Sequence, residues 1–408
     1  MVDLAMMGHL DDPVYIGAIA LGGAIFNLIY LSFGFLRMGT TGFTAQAYGA
    51  RLKNELTLVL YRSLVVAFLL AIILIALQYP IQWIAFRLLD GSLEVKELAR
   101  EYFYIRIFAA PATLGLYALH GWFLGMQNAK IPMILAILIN SVNILFNFIF
   151  IIGLGMKADG VAFASVIAQY SGLLVAVFFI MIKYKNYLSG FKTTLVFQAA
   201  AIKKFFVVNS DIFIRTILLI LTLTFFTSRS ARISDDILAV NTLLFQFFFI
   251  FSYFADGFAY AGEALTGKAK GSGNDVMLKK TVQNLFLWGW GASLVFGLLF
   301  AIGLKPLLWI MTDNDDIIEL AFKFKWWIIL LPLASGAAFI WDGIYIGVTA
   351  SKAMRNTMIA SSILVFLPVY FISIDLIQNH GLWLALNLFM ASRGVFMWLM
   401  AKSSVYRQ

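Results

Sequence analysis

The chain has 408 residues, 62% of them hydrophobic and 12% charged, with a formal net charge of +9. That balance fixes an integral membrane protein, and the absence of period-two alternation excludes a transmembrane β-barrel in favour of an all-helical bundle. There is no Cys, which excludes disulfides, Cys-ligated zinc and thiol catalysis.

Taken in chain order, a stretch from Met1 to about Leu10 has helical character but spans half a bilayer at best. Apolar runs then predict helices over 14–49, 54–88, 95–126, 129–153 and 159–184. A second series follows over 200–228, 236–268, 276–311, 316–348, 352–376 and 380–402. Several exceed the roughly 20 residues a span needs, so tilt or kinks are expected, with bends at Pro111 and at glycines such as Gly34 and Gly336. No polar segment is long enough to fold outside the membrane.

The two series resemble each other. Pro111, Gly115, Gly125 and Lys130 return as Pro332, Gly336, Gly347 and Lys352, at offsets of 221 (332−111) or 222 (347−125). Upstream, Pro80, Trp83 and Ile84 are echoed by Pro306, Trp309 and Ile310; downstream, Gly160 and Ala164 are echoed by Gly381 and Ala385. Shared Leu and Phe would follow from membrane composition alone, but collinear Pro, Trp and Lys do not. Internal duplication is how many carriers are built. With six helices per repeat both halves enter from the same side, which makes the repeats parallel. The first helix of the first repeat then falls mostly upstream of Met1. The expected organisation is an N-terminal lobe over 1–184, an inter-lobe connection over 185–199 and a C-terminal lobe over 200–408.

Sixteen Lys or Arg, among them Arg51, Lys130, Lys279 and Lys352, fall in one set of loops and helix ends; the other set holds nine at most. The positive-inside rule places the first set, the 185–204 connection and the C-terminus in the cytoplasm. The net charge is therefore topological, and no basic patch on a soluble surface points to nucleic acid.

Five segments carry a family resemblance: residues 2–10 around Asp3 and Gly8, 33–49 around Arg37, Gly42 and Gln46, 209–216 with Asp211 and Arg215, 256–264 with Asp256 and Glu263, and 381–394 ending at Arg393 and Gly394. Together they resemble the multidrug and toxic compound extrusion (MATE) transporters, in the branch of DNA-damage-inducible protein F. The resemblance implies a two-lobe antiporter that expels organic compounds by alternating access.

It also implies that Asp3 occupies the proton-coupling position of that branch. A carboxylate in a low-dielectric cavity is readily protonated, as coupling requires; the alternative is an Asp that only holds helices together. In the fifth helix of the first repeat, Asn140, Asn143 and Asn147 are polar, and the last two stand four apart on one face. Many relatives carry Asp at the position of Asn147, which cannot ionise. These amides could line a cavity or glue helices together. Asp211 and Arg215, also four apart, suit a structural ion pair on one helix. Asp256 and Glu263 share a face, and an offset of 219 (256−37) overlays Arg37 on Asp256 and Thr44 on Glu263. Arg37 and Asp256 could then pair between lobes or be satisfied within their own. His120 could relay protons or simply pack.

The function expected from these residues is a secondary antiporter, not an enzyme, exporting organic and often cationic or amphipathic small molecules in exchange for protons, with sodium the less favoured ion. A bacterial inner membrane, a monomer, and no cofactor, metal or nucleic-acid partner complete the expectation. The competing readings are a lipid-linked oligosaccharide flippase with a cationic headgroup cavity, a channel, or a non-transporting remnant.

Overall fold

The computed structural model describes residues 13–188 and 195–406, all in helices and the turns between them, with no strand among the described residues. Eleven helices in these residues are long and apolar enough to cross a membrane. Their limits follow the apolar runs, because in lipid the backbone must satisfy its own hydrogen bonds and a helix persists until a polar turn can take over.

The elements are α1 (Pro13–Ser32), α2 (Phe35–Gly49), α3 (Lys53–Ala76), α4 (Gln78–Leu88), α5 (Leu93–Arg106), α6 (Ala110–Gly125), α7 (Lys130–Asn147) and α8 (Ala158–Lys183). After the connection come α9 (Ala199–Ile233), α10 (Asp235–Gly271), α11 (Asp275–Met311), α12 (Asp315–Lys323), α13 (Lys325–Gly347), α14 (Ser351–Ala360), α15 (Leu367–Ile377) and α16 (Asn379–Ser404). A π-helical turn follows α7 at Phe148–Gly153, and another joins α14 to α15 at Ser361–Phe366. Between α5 and α6 lies a 3₁₀ turn, Ile107–Ala109. Pro111 explains it. Proline has no N–H for the helical ladder and its ring collides with the carbonyl four residues earlier, so the helix must loosen just there.

The chain forms two compact units, one from the residues up to Thr44 with Leu52–Lys203, the other from Ala45–Arg51 with Lys204 onward. In the first unit, Trp122 donates to the Leu56 carbonyl at 2.9 Å and ties α6 to α3. Buried Arg62 on α3 pairs with Glu55 at 2.8 Å and holds the connection by donating to the carbonyls of Leu195 (2.8 Å) and Val196 (3.2 Å). In the second unit a core of Phe226, Phe247, Phe251, Trp383 and Phe389 surrounds a closed polar knot. There Asn241 donates to Ser230 Oγ and Asn379 Oδ1 at 2.7 Å each and accepts from Trp383 at 2.8 Å.

The backbone carries the duplication independently of the side chains. Six described residues have positive φ: Arg51, Gln127, Gly155, Gly273, Thr349 and Gln378. They fall into three pairs at offsets of 222 (273−51 and 349−127) and 223 (378−155). Close helix contacts repeat in the same way. Gly121 admits the Arg37 carbonyl and Gly343 admits the Ala259 carbonyl, positions where any Cβ would collide with backbone. Both members of this contact are 222 apart (343−121 and 259−37). Arg37 therefore corresponds to Ala259 rather than Asp256, and Thr44 to Thr266 (266−44) rather than Glu263. The offset of 219 came from matching polar residues, whereas the true register is set by where backbones touch.

Candidate functional site

The first unit encloses a cavity of about 430 Å³ between α1, the α5–α6 junction, α7 and α8. Each helix contributes one face. Gly23, Phe26, Asn27 and Tyr30 of α1 stand at the three- and four-residue spacing of a helical stripe, and so do Thr113, Leu116, Tyr117 and His120 of α6. Ile139 and Asn140 of α7 and Gln169 of α8 close the wall. The stripe is polar in the middle of apolar helices, which is the exception to be explained in a membrane protein.

Arg106 is the one full charge on that wall, which carries no Asp or Glu. It ends α5 at the turn imposed by Pro111, so the kink presents it to the cavity. Its guanidinium lies 5.7 Å from the Phe26 ring centre and 5.8 Å from that of Tyr102. Phe26 is itself fixed by stacking on Phe103 at 5.2 Å and Tyr30 at 5.7 Å. Nε and Nη1 of Arg106 are shielded from solvent yet have no hydrogen-bond partner, and so is Nε2 of His120. A shielded donor without an acceptor costs of the order of 1–3 kcal/mol, so this wall is built but unfinished.

Of the residues expected from sequence, Asn140 reaches the cavity, with its amide donating to the Ala136 carbonyl at 2.8 Å. Asn143 and Asn147 are brought together as an amide chain. Asn147 donates to Asn143 Oδ1 at 3.2 Å, and Asn143 donates to Ser165 Oγ at 3.3 Å, linking α7 to α8. Arg37 is half-buried on α2 beside His120. Gln46 closes the end of α13 by donating to the Gly347 carbonyl (2.9 Å) and Thr349 Oγ1 (3.1 Å). On α10, Glu263 is fully buried and Asp256 half-buried. Asp3 lies outside the described residues.

The ion pair expected between Asp211 and Arg215 is replaced by pairs reaching other helices. Asp211 takes Arg355 of α14 at 2.5 Å and the Ser351 hydroxyl at 2.9 Å. Arg215 pairs with Asp342 of α13, whose Oδ2 also receives Arg393 of α16 at 2.6 Å. Spacing along one helix shows only partners on that helix, while a charge buried in lipid takes the arrangement that satisfies most of its atoms. The sequence reading passed over Asp342, although an Asp inside the apolar run Phe339–Tyr345 is a signal. Arg106, Asn27, Tyr30, Tyr117 and Gln169 were also missed, and their helical spacing from helix to helix could have found them.

A family model described as MatE matches residues 1–149 and 212–372. DNA damage-inducible protein F of Escherichia coli (strain K12) is 34% identical over 397 residues, covering 97% of this chain and 86% of that protein. Human multidrug and toxin extrusion protein 1 is 26% identical over 330 residues, 77% of this chain and 55% of that one. A crystal structure of MATE in the bent conformation superposes with a TM-score of 0.88 at 19% identity, over 99% of this chain and 90% of that chain.

Proposed function

The chain belongs to the MatE family of membrane transporters, and on that footing we propose that it is a secondary antiporter exporting small amphipathic organic compounds in exchange for protons. The relative named for multidrug and toxin extrusion supports the cargo class. The observation that carries the reading is the polar cavity of about 430 Å³ set among membrane-spanning helices of the first unit. A polar wall at that depth is costly in a bundle that only holds itself together, and useful in one that must admit a solute.

Coupling to protons needs a group that changes charge between access states and binds its proton with different affinity in each. We assign that role to Asp3. No Asp or Glu lines the described cavity wall, and Asn147 cannot ionise. In inside-out vesicles with an imposed pH gradient, wild-type protein accumulates a fluorescent amphiphile, and Asp3→Asn abolishes this while leaving the amphiphile bound. Accumulation that survives collapse of the proton gradient overturns proton coupling.

The placement of Lys and Arg supports a bacterial inner-membrane protein with the α10–α11 turn and the C-terminus in the cytoplasm. In this Cys-free chain, a Cys at Asn314 should react with an impermeant maleimide in intact cells and one at Ser272 should not. The reverse pattern inverts the topology.

A further inference from the structure

From the chemistry of the cavity wall we infer that the first unit holds its cargo by an anionic group set on Arg106, with the apolar body of the cargo against Phe26 and Leu116. The inference rests on the transporter reading and narrows its cargo class. It runs against the cationic substrates expected from sequence.

The charge balance is one-sided. Arg106 faces the cavity without a carboxylate on the wall, and Arg37 is the ionised neighbour closest in influence to His120. A cationic cargo would therefore enter against Coulomb repulsion in a medium of low dielectric, where such repulsion is strongest. An anion meets the opposite field. The hydrogen-bond balance agrees: Nε and Nη1 of Arg106 are shielded donors without acceptors. Those two N–H groups lie in the plane of the fork that binds carboxylate, sulfonate or phosphate oxygens two at a time. Around them Asn27, Tyr30, Tyr117 and Gln169 offer further donors. The second unit shows the contrast within the same chain. Its buried guanidiniums, Arg215 and Arg393, already share a carboxylate of their own.

Arg106 is also placed rather than incidental. The position corresponding to it across the repeat is Trp327 (327−106 = 221), which donates to His380 and carries no charge. The 3₁₀ turn that presents Arg106 exists because Pro111 follows it.

The test is equilibrium binding of matched probes to purified protein in neutral detergent, with no gradient applied: naphthalenesulfonate, its trimethylammonium counterpart and the neutral naphthylmethanol. Wild type should bind the sulfonate at least about tenfold tighter than the cation, a difference of about 1.4 kcal/mol. Arg106→Gln should erase that preference, and Arg106→Lys should keep part of it. Asn27→Asp, which supplies Arg106 with an internal carboxylate, should weaken sulfonate binding without removing the arginine and covers the case in which R106Q does not fold. No preference in wild type, or a preference that persists in both R106Q and N27D, overturns the inference.

Mass spectrometry separates the two sources of such an anion. A lipid that co-purifies with wild type and is lost from R106Q assigns the site to a lipid headgroup. Sulfonate binding without such a lipid assigns it to a free organic anion. Because binding is measured without a gradient, failure of proton-driven accumulation in vesicles would strike the antiporter reading and leave the anion site standing.

Discussion

The same slot in the two repeats is filled in opposite ways. In the second unit Asp342 stands one residue before the close-contact Gly343, and Arg393 comes to it from α16. In the first unit the equivalent of Asp342 is His120, one residue before Gly121 (342−120 = 222). The equivalent of Arg393 is Gly172 (393−172 = 221), taking the offset of the Gly160 and Gly381 pair. Where one repeat packs a guanidinium against a carboxylate, the other has an imidazole with an unpartnered nitrogen and a glycine against Ile139 and Leu116. Ile139, Leu116 and His120 all line the cavity. Duplication supplied one backbone; replacing a charge network by small and neutral residues opened one copy for cargo and left the other closed.

The most severe way to break the closed copy is Asp342→Asn. Oδ2 of Asp342 holds Arg215 and Arg393, with side-chain exposures of 8% and 2%, so its loss strands two cations in the membrane interior. Removing one partner of a buried pair costs about 3–5 kcal/mol, and the expected outcome is a large fall in melting temperature with little folded protein recovered. A replacement that empties the slot as a whole, Asp342→Leu with Arg215→Met and Arg393→Met, should recover much of that stability, since apolar side chains of similar size need no partner. A triple variant less stable than D342N would show that the network does more than neutralise itself.

A double-mutant cycle decides how the charges are wired. Asp211 and Arg355 should couple by about 1–2 kcal/mol, because Arg355 is only partly exposed at 26% and the Ser351 hydroxyl shares the carboxylate. Asp211 and Arg215 should couple by less than about 0.5 kcal/mol, the range in which separate sites simply add. The reverse result would restore a pair along a single helix.

This rewiring marks what was legible in the sequence. Helix limits were, because a run such as Val14–Gly49 must stay helical for as long as it lies in lipid. The duplication was, because Pro111 and Pro332 are rare residues with a backbone consequence. Partners between helices were not. Asp211 and Arg215 look complete on their own helix, and only the arrival of Arg355 and Asp342 shows that each is engaged elsewhere. Arg106 was illegible for a related reason: it ends a helix rich in Glu and Arg and reads as an interfacial residue until the Pro111 kink presents it to a cavity. The polar stripes of α1 and α6 were visible in principle, but each is too dilute to stand out without the other opposite it.

The open copy should respond to mutation in the opposite sense. Arg106→Met removes a cation whose Nε and Nη1 have no acceptor in the unliganded fold. The variant should therefore be as stable as wild type or more stable by about 1 kcal/mol, since an unmade hydrogen bond is a cost and its removal a relief. A thermal melt in neutral detergent checks this. If R106M instead destabilises as D342N does, the guanidinium is structural and the two copies are alike after all.

The smallest effect concerns the amides of α7, and it fixes where the cavity wall ends. Asn147 donates to Asn143, and Asn143 donates to Ser165 on α8. Interhelical hydrogen bonds of this kind in membrane proteins average about 0.6 kcal/mol in double-mutant cycles, so Asn143 and Ser165 should couple by about that much. Neither is on the cavity wall, whereas Asn140 one turn earlier is. Asn143→Ala should accordingly lower the melting temperature slightly and leave probe affinity unchanged, while Asn140→Ala should do the reverse. If Asn143→Ala changes affinity with no loss of stability, the cargo reaches one turn deeper along α7, and the amide chain belongs to the wall rather than to the packing behind it.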